Sequence, residues 1–204
     1  MKLAAHFCGE RVNEVLRGDV SFVKQVYEWG FERIQINATA VNGVDTSLLE
    51  GENAVDTFVK MAASFPNVEF IVQQNDETKP LWEGLLLLAS QKDTSIGGDG
   101  DDDYIGGTLP PNISMLLDES KGTGVMRSTW PSPPTEYRVG YAGGIGPTNI
   151  EEVLSKIQSV AKGRSVWIDM ESSLRTKQKN DSNDVFDLDK CRSCITAVLK
   201  MGFY

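Results

Sequence analysis

The sequence predicts an α/β fold of parallel strands and helices, the architecture of a (βα)8 barrel of the TIM type. Two observations predict it: short apolar runs alternate with stretches of helical spacing, and polar residues collect where the apolar runs end. The chain has 204 residues, of which 40% are hydrophobic, enough for one domain with a substantial core. We therefore expect a single barrel domain over residues 1–204, either complete or incomplete at its amino-terminal end.

Strand and helix patterns alternate along most of the chain. The apolar run at residues 2–8 predicts a strand. Segment 19–30 predicts a helix, because Phe22, Val23 and Val26 recur at helical spacing. The further predicted strands are 33–38, 68–74, 112–118, 137–143 and 165–171, and the further helices are 53–65, 78–90, 148–163 and 187–202. Strands that are mostly separated by helices indicate a parallel sheet.

Five of the predicted strands end in polar or reactive side chains. In a βα barrel the active site is built at these carboxyl ends. An open doubly wound sheet would instead concentrate such residues near the point where its strand order reverses. The spread over five strands favours the barrel and leaves the open sheet as the alternative. The strand-end residues are His6, Cys8, Gln35, Asn37, Gln73, Asn75, Asp118, Glu119, Asp169 and Glu171, of which Asn37, Asn75 and Asp169 are general candidates for a site.

The formal net charge of −9 argues against a nucleic-acid partner, because no basic stripe accompanies it. The same charge repels anionic metabolites at long range. A phosphate site in this chain must therefore be local and made of backbone amides and helix termini.

Cysteine content and hydropathy bear on localisation. The chain has three cysteines, which cannot all pair, and this favours a reducing compartment. The longest apolar patch, residues 85–89, is far shorter than the roughly 18 residues that suggest a membrane helix. The first residues lack the pattern of a signal peptide. We expect a cytoplasmic protein without a membrane partner.

An acidic, glycine-rich composition break at about residues 92–110 predicts a mobile insertion. Within it, Asp99, Asp101 and Asp103 are spaced like the first ligands of a calcium loop. The Gly and Glu that such a loop needs at its sixth and twelfth positions are missing. Calcium binding is therefore not expected.

Two cysteines near the carboxyl terminus form a C-x-x-C pattern, Cys191 and Cys194. They lie inside a predicted helix rather than at its amino terminus, where a thiolate would be stabilised. No second pair completes a zinc site. We expect neither a metal nor a cofactor.

Residues 140–154, GYAGGIGPTNIEEVL, place several glycines between a strand and the start of a helix. Thr148 and Glu151 have the T-x-x-E spacing of a capping box. A strand, a glycine turn and a helix amino terminus together form an anion site, because backbone amides point at the ligand. The same glycines also fit a tight turn that binds nothing.

The carboxyl-terminal half resembles the phosphoribosylanthranilate isomerases, a family of ribulose-phosphate-binding barrels. The stretch YAGGIGPTNIEEVL, followed by VWIDMESSLR, is similar to the last two βα units of that family, which hold the substrate phosphate. MLLDESKGTG is similar to the family's Leu-Leu-Leu-Asp before Gly-Thr-Gly, and HFCG is more weakly similar to its first-strand Lys-x-Cys-Gly. The resemblance implies a barrel that binds a small sugar phosphate.

The family's reaction is an Amadori rearrangement, an aldose–ketose isomerisation and hence an intramolecular oxidoreduction. A carboxyl group protonates the ring oxygen of an aminoaldose, and a thiolate accepts the proton from C2 of the imine. The resemblance implies a general acid at Asp118, a general base at Cys8, and phosphate contacts at Gly143, Gly144, Ser172 and Ser173.

Each catalytic assignment has a structural alternative. Cys8 also fits a small buried hydrophobe, Asp118 a cap for the next turn, and His6 a packed, hydrogen-bonded residue. The second strand is followed by INATAVNGVDTS, which lacks the arginine that meets the anthranilate carboxylate in the family. That absence favours a second function: a non-catalytic phosphate-binding barrel with a binding or structural role.

Two further expectations concern assembly and the glycine turn. An incomplete barrel leaves edge strands that must be covered, for instance by a second copy in a homodimer. A valine at Gly144 is expected to block an anion while leaving the melting temperature nearly unchanged, if the turn is a free loop tip.

Overall fold

A computed structural model of the chain describes residues 3–51, 53–91, 109–121, 123–126, 128–177 and 184–203. The six strands of its main sheet are β1 (Ala4–Phe7), β2 (Arg33–Ile36), β3 (Glu69–Gln74), β4 (Ile113–Leu117), β5 (Val139–Tyr141) and β6 (Trp167–Ile168). The helices are α1 (Glu10–Leu16), α2 (Ser21–Glu28), α3 (Ala54–Ser64), α4 (Lys79–Gln91), α5 (Ile150–Ala161) and α6 (Leu188–Lys200). A second, antiparallel sheet pairs β7 (Arg175–Lys177) with β8 (Asp184–Phe186).

The six strands of the main sheet are parallel and lie in the order β1-β2-β3-β4-β5-β6. This confirms the predicted α/β fold with a parallel sheet. The order follows the chain without a reversal, which is the order of a βα barrel and differs from that of a doubly wound sheet. Among the described residues the sheet has six strands, so a closed eight-stranded barrel stays a prediction.

The chain forms two compact units. Unit 1 contains Met1–Leu117 and Pro134–Val139, and unit 2 contains Asp118–Pro133 and Gly140–Tyr204. The residues that the sequence assigns to phosphate binding all lie in unit 2, together with Asp118, whereas Cys8 lies in unit 1.

In unit 1 the sheet has one apolar face and one mixed face, which carries Ile71 and Leu116 beside polar residues, because side chains alternate along each strand. On the apolar face, Phe70 of β3 contacts the ring of Phe58 of α3, and Phe7 of β1 contacts Phe22 of α2. The helices therefore pack on this face, whose buried members include Phe7, Ile34, Ile36, Phe70, Val72, Ile113 and Met115. The alternate positions hold the buried polar residues Gln35, Asn37, Gln73 and Ser114.

Three local features differ from the sequence prediction. Helix α1, whose Val12, Val15 and Leu16 are buried, was not predicted, and neither was the β7–β8 pair. The prediction of a capping box at Thr148 and Glu151 is wrong, because the N-cap of α5 is Asn149 and it makes no side-chain cap hydrogen bond.

Several expectations fall on residues outside the described ranges. Residues 92–108 of the predicted insertion, among them Asp99, Asp101 and Asp103, lie outside the described ranges. Within the described ranges, no helix is long and apolar enough to cross a bilayer, and no group of three His, Cys, Asp or Glu side chains could hold a metal ion. Cys194 is buried in α6, and burial raises the pKa of its thiol, so α6 does not stabilise a thiolate there.

Asn112, just before β4, closes the end of α3 in unit 1. Its Nδ2 donates to the carbonyl oxygens of Ala62 (2.9 Å), Phe65 (3.3 Å) and Val68 (3.2 Å). We expect Asn112→Ala to lower the free energy of unfolding by about 2 kcal/mol, because carbonyls at a partly buried helix end lose their donor. Urea denaturation measures the change. Asn53→Ala is the matched control, since this exposed N-cap makes no side-chain cap hydrogen bond; equal losses in both variants would contradict the prediction.

Candidate functional site: an amide-lined cradle in unit 2

Three turns converge in unit 2, each following a strand of the main sheet. They are residues 123–126 after β4, residues 143–146 after β5, and residues 172–173 after β6. We call these three segments the cradle. The turns are so close that a Cβ atom added to Gly124, Gly144 or Gly146 would overlap an atom of a neighbouring turn.

The first contact joins Gly144 to Met126. A Cβ on Gly144 would lie 2.6 Å from both the backbone nitrogen and the Cα of Met126, and the φ angle of Gly144 is +65°. Glycine is required here for two reasons: the left-handed conformation strains other residues, and no side chain fits. The expectation that Gly144 is a free loop tip is therefore wrong: the glycine also serves packing.

Asn149 organises the turn after β5. Its Nδ2 donates to the carbonyl oxygen of Gly144 (2.8 Å), and its Oδ1 accepts from the amide of Gly146 (2.8 Å). The Gly146 amide is thus occupied and is not available to an anion. The same Nδ2 also lies 3.2 Å from the sulfur of Met126, which ties this turn to the one after β4. These bonds explain why Asn149 does not cap α5 with its side chain.

The turn after β6 is a short 3-10 segment, Ser172–Leu174. The hydroxyl of Ser173 donates to the carbonyl oxygen of Ile145, and a Cβ on Gly146 would lie 2.6 Å from the Cβ of Ser173. A Cβ on Gly124 would lie 2.9 Å from the hydroxyl oxygen of Ser172. The residues of the β6 turn therefore contact both of the other turns.

The cradle offers donors without acceptors. In the part of the chain that the structure describes, the backbone amides of Gly144, Ile145, Ser172 and Ser173 meet no hydrogen-bond acceptor, and neither does the hydroxyl of Ser172. Ile145 is buried, so its amide has limited access to bulk water. Several backbone donors without an acceptor in neighbouring turns are a feature of anion-binding sites.

The basic residue that follows the β6 turn does not offer an uncompensated charge to the cradle. Arg175, the cation next to the β6 turn in sequence, is bonded through Nε to Asp184 (2.7 Å). Its positive charge is therefore compensated within the β7–β8 pair. An anion would depend on the geometry of the amides, as the sequence also predicts.

Helix α6 holds the β6 turn in place. The amide of Asp187 donates to the carbonyl oxygen of Leu174 (2.8 Å), and its carboxylate accepts from the hydroxyl of Thr176 (2.6 Å) and from the amide of Lys190 (3.2 Å). The hydrogen bond from Thr176 is the main reason that the pKa of Asp187 lies below its usual range. The ionised carboxylate thus joins the start of α6 to the strand that follows the cradle.

Asp118 is buried at the end of β4, at 5% exposure. Its carboxylate accepts from the hydroxyl of Ser120 (2.6 Å), and its carbonyl oxygen accepts from the amide of Lys121 (3.3 Å). It therefore shapes the turn that leads into the cradle, as the capping alternative predicts. A buried carboxyl at this point also fits a general acid.

Asp169, at the end of β6, is half-buried, and its amide donates to the carbonyl oxygen of Tyr141 (2.9 Å).

Three strand-end residues of unit 1 lie in contact with one another: Cys8, Gln35 and Asn37. The Nδ2 of Asn37 lies 3.6 Å from the sulfur of Cys8, and its Oδ1 accepts from Nε2 of Gln35 (2.9 Å). Cys8 and His6 are exposed, so they do not fit the buried structural alternatives that the sequence leaves open. Asn75 caps the turn after β3, because its Oδ1 accepts from the amides of Glu77 and Thr78.

Sequence reasoning assigned no role to Gly124 and Met126 of the cradle, nor to Asn149, which bonds to its β5 turn. The signal for Asn149 was present in the Pro-x-Asn spacing of the glycine stretch, which was not connected to any role. Nothing in the sequence distinguishes Met126 as a neighbour of Gly144, because that contact joins two loops across the fold. Comparison with protein-family models and with curated proteins finds no match to this chain.

Proposed function

We propose that the cradle of unit 2 binds the phosphate group of a small sugar phosphate. The observation that carries this proposal is the convergence of three strand-end turns around backbone amides that lack an acceptor. A phosphate monoester supplies oxygen acceptors for several of these donors at once. The carboxyl ends of parallel strands are also the place where βα barrels bind phosphate groups.

The reaction class proposed is the Amadori rearrangement of a phosphorylated aminosugar, after the resemblance to the phosphoribosylanthranilate isomerases. In this scheme the carboxyl group of Asp118 protonates the ring oxygen, and the ring opens to an imine. A base then removes the proton from C2, and the enamine product tautomerises to the ketose. Cys8 is the base that the resemblance implies, and the reaction needs no metal or cofactor.

A second function, a phosphate-binding protein without catalysis, is favoured by the strand order. If β5 and β6 hold the seventh and eighth positions of the resembling barrels, then sequential order gives β1 the third position. Cys8 would then follow the third strand rather than the first, where the family has its base. The cradle is common to both functions, whereas the base is required only by the first.

Binding of the phosphate group is tested by calorimetric titration with ribose 5-phosphate and with ribose. We expect the ester to bind and ribose not to bind, because the cradle recognises the phosphate. Ser172→Asp should weaken binding at least about 100-fold, since it places a carboxylate beside the amides. Ser155→Asp, on an exposed turn of α5, adds the same charge elsewhere and should have little effect. Equal binding of ribose and its phosphate would refute the proposal.

Catalysis is tested separately with phosphoribosylanthranilate, by following its fluorescence. If Asp118 is the general acid, Asp118→Asn should lower turnover at least about 100-fold and leave binding of ribose 5-phosphate unchanged. Binding without turnover in the wild-type protein would select the non-catalytic function. Unchanged turnover in the variant would exclude Asp118 as the acid.

A further inference from the structure

Helix α6 of unit 2 presents an apolar stripe to solvent. Leu188, Ile195 and Leu199 are 75%, 59% and 57% exposed, and Arg192 is exposed between them. The opposite face of the helix is the packed one, since Cys194 and Ala197 are buried. We call Leu188, Arg192, Ile195 and Leu199 the α6 stripe.

The spacing of the α6 stripe is that of a helix-pairing seam. Its members follow one another at intervals of four, three and four residues, which is the a/d spacing of a coiled coil. Three of the four positions hold large aliphatic residues. A helix that packs on its own domain with one face and shows this spacing on the other is built to contact a second helix.

The α6 stripe is also complementary to itself. Because the intervals read the same in both directions, a two-fold axis through the middle of the helix sets Leu188 opposite Leu199 of a second copy. The same axis sets Ile195 opposite Arg192 of that copy. We propose that the α6 stripe is the interface of a homodimer in which two α6 helices pack antiparallel about a two-fold axis.

Charge selects the antiparallel arrangement over the parallel one. Parallel pairing would place the two Arg192 side chains opposite each other in the seam, which is unfavourable. Antiparallel pairing places each arginine beside an isoleucine, where its methylene groups pack and its guanidinium reaches solvent. It also brings the basic last turn of α6, where Lys200 is ion-paired with Glu151 of α5 (3.6 Å), near the acidic first turn of the second copy, which contains Asp189.

The apolar surface continues beyond the helix. Val185 and Phe186 of β8, which precede the N-cap Asp187 of α6, are 41% and 50% exposed. In the two-fold arrangement they face the carboxyl-terminal end of the second α6. Summed with the α6 stripe, their exposed side chains give an apolar area on the order of a few hundred Å², the size at which exposed apolar surface marks interaction sites. An interface of this size lies near the lower limit of about 1,200 Å² in total for specific dimers, so we expect a reversible dimer.

The test is sedimentation velocity of the full chain over a range of protein concentrations that extends into the high micromolar. We expect a monomer–dimer equilibrium. Ile195→Asp should raise the dissociation constant at least about 100-fold, because it buries two charges in the seam. Leu87→Asp, at an equally exposed leucine on α4 in unit 1, is the matched control and should leave the equilibrium unchanged.

A second variant tests the proposed pairing by strengthening the dimer rather than weakening it. Arg192→Leu completes the apolar seam and should tighten the dimer about tenfold or more. Circular dichroism confirms that each variant is folded. A protein that stays monomeric at every concentration overturns the proposal, and so does a dimer that responds equally to Ile195→Asp and Leu87→Asp or is not strengthened by Arg192→Leu.

Discussion

Gly144→Val is expected to abolish binding of phosphate esters and to destabilise unit 2 by about 2–5 kcal/mol. Two effects add. A valine in the left-handed conformation costs about 1–2 kcal/mol. Its Cβ also meets the backbone of Met126 at 2.6 Å, and overpacking against a backbone that cannot rotate away costs a further 1–3 kcal/mol or more. The two turns must separate, and the amides they hold in place then lose their arrangement.

The measurements are urea denaturation and titration with ribose 5-phosphate. Gly163→Val is the control for backbone strain. This glycine lies in the same unit at φ +84°, and nothing lies within 4 Å of an added Cβ. The Gly163→Val variant should therefore lose only the stability that the left-handed conformation costs a valine, and it should bind ribose 5-phosphate as well as the wild type. If the two variants lose the same stability, the contact between Gly144 and Met126 does not constrain the cradle.

Gly140→Ala, in β5, is expected to lower the free energy of unfolding by about 2–4 kcal/mol. The side chain of Trp167 on the neighbouring strand covers Gly140, so that an added Cβ would overlap the indole nitrogen and lie 2.7 Å from Cδ1. The indole must swing out, which exposes apolar surface that the fold now buries. Denaturation followed by tryptophan fluorescence reports both the stability and the new environment of the indole.

A double-mutant cycle isolates this contact. Trp167→Ala alone loses the packing of the indole, but in that background Gly140→Ala has nothing to displace. We expect the double variant to be about as stable as Trp167→Ala, which corresponds to a coupling energy of about 2–4 kcal/mol, the whole loss expected for Gly140→Ala alone. Additive losses would mean that the alanine at position 140 acts through some other contact.

The parallel sheet was predictable because its signal is local. Each strand of the main sheet lies within a predicted segment, for instance β3 within 68–74 and β4 within 112–118, because the apolar runs are short and flanked by polar or turn-forming residues. Helix α1 was missed because it has only seven residues and follows β1 after two residues. The antiparallel β7–β8 pair was missed because neither strand carries an apolar alternation: Arg175–Lys177 is wholly polar and Asp184–Phe186 is exposed.

The candidate site, like the fold, was predictable from the sequence only in part. Gly143, Gly144, Ser172 and Ser173 were proposed from spacing and resemblance, and the structure places the β5 and β6 turns that carry them in contact within unit 2. The roles within that site were not readable from the sequence. Ser173 uses its hydroxyl on the carbonyl of Ile145, which leaves its amide and the hydroxyl of Ser172 as donors.

The sequence by itself determined the strands of the main sheet, the helices other than α1 and the position of a glycine turn at the end of β5, because strand patterns and turn residues act over a few neighbours. Only the tertiary structure decided that Gly144 packs against Met126, that Asn149 occupies the Gly146 amide rather than capping α5, and that α6 leaves an apolar stripe exposed. The physical reason for the first and the last is that each depends on a contact with, or an exposure relative to, segments distant in the chain. Asn149 lies only three residues from Gly146, but the sequence does not say which of two local partners its side chain takes. Such contacts are set by packing and by which donors and acceptors are left over, and no local pattern encodes either.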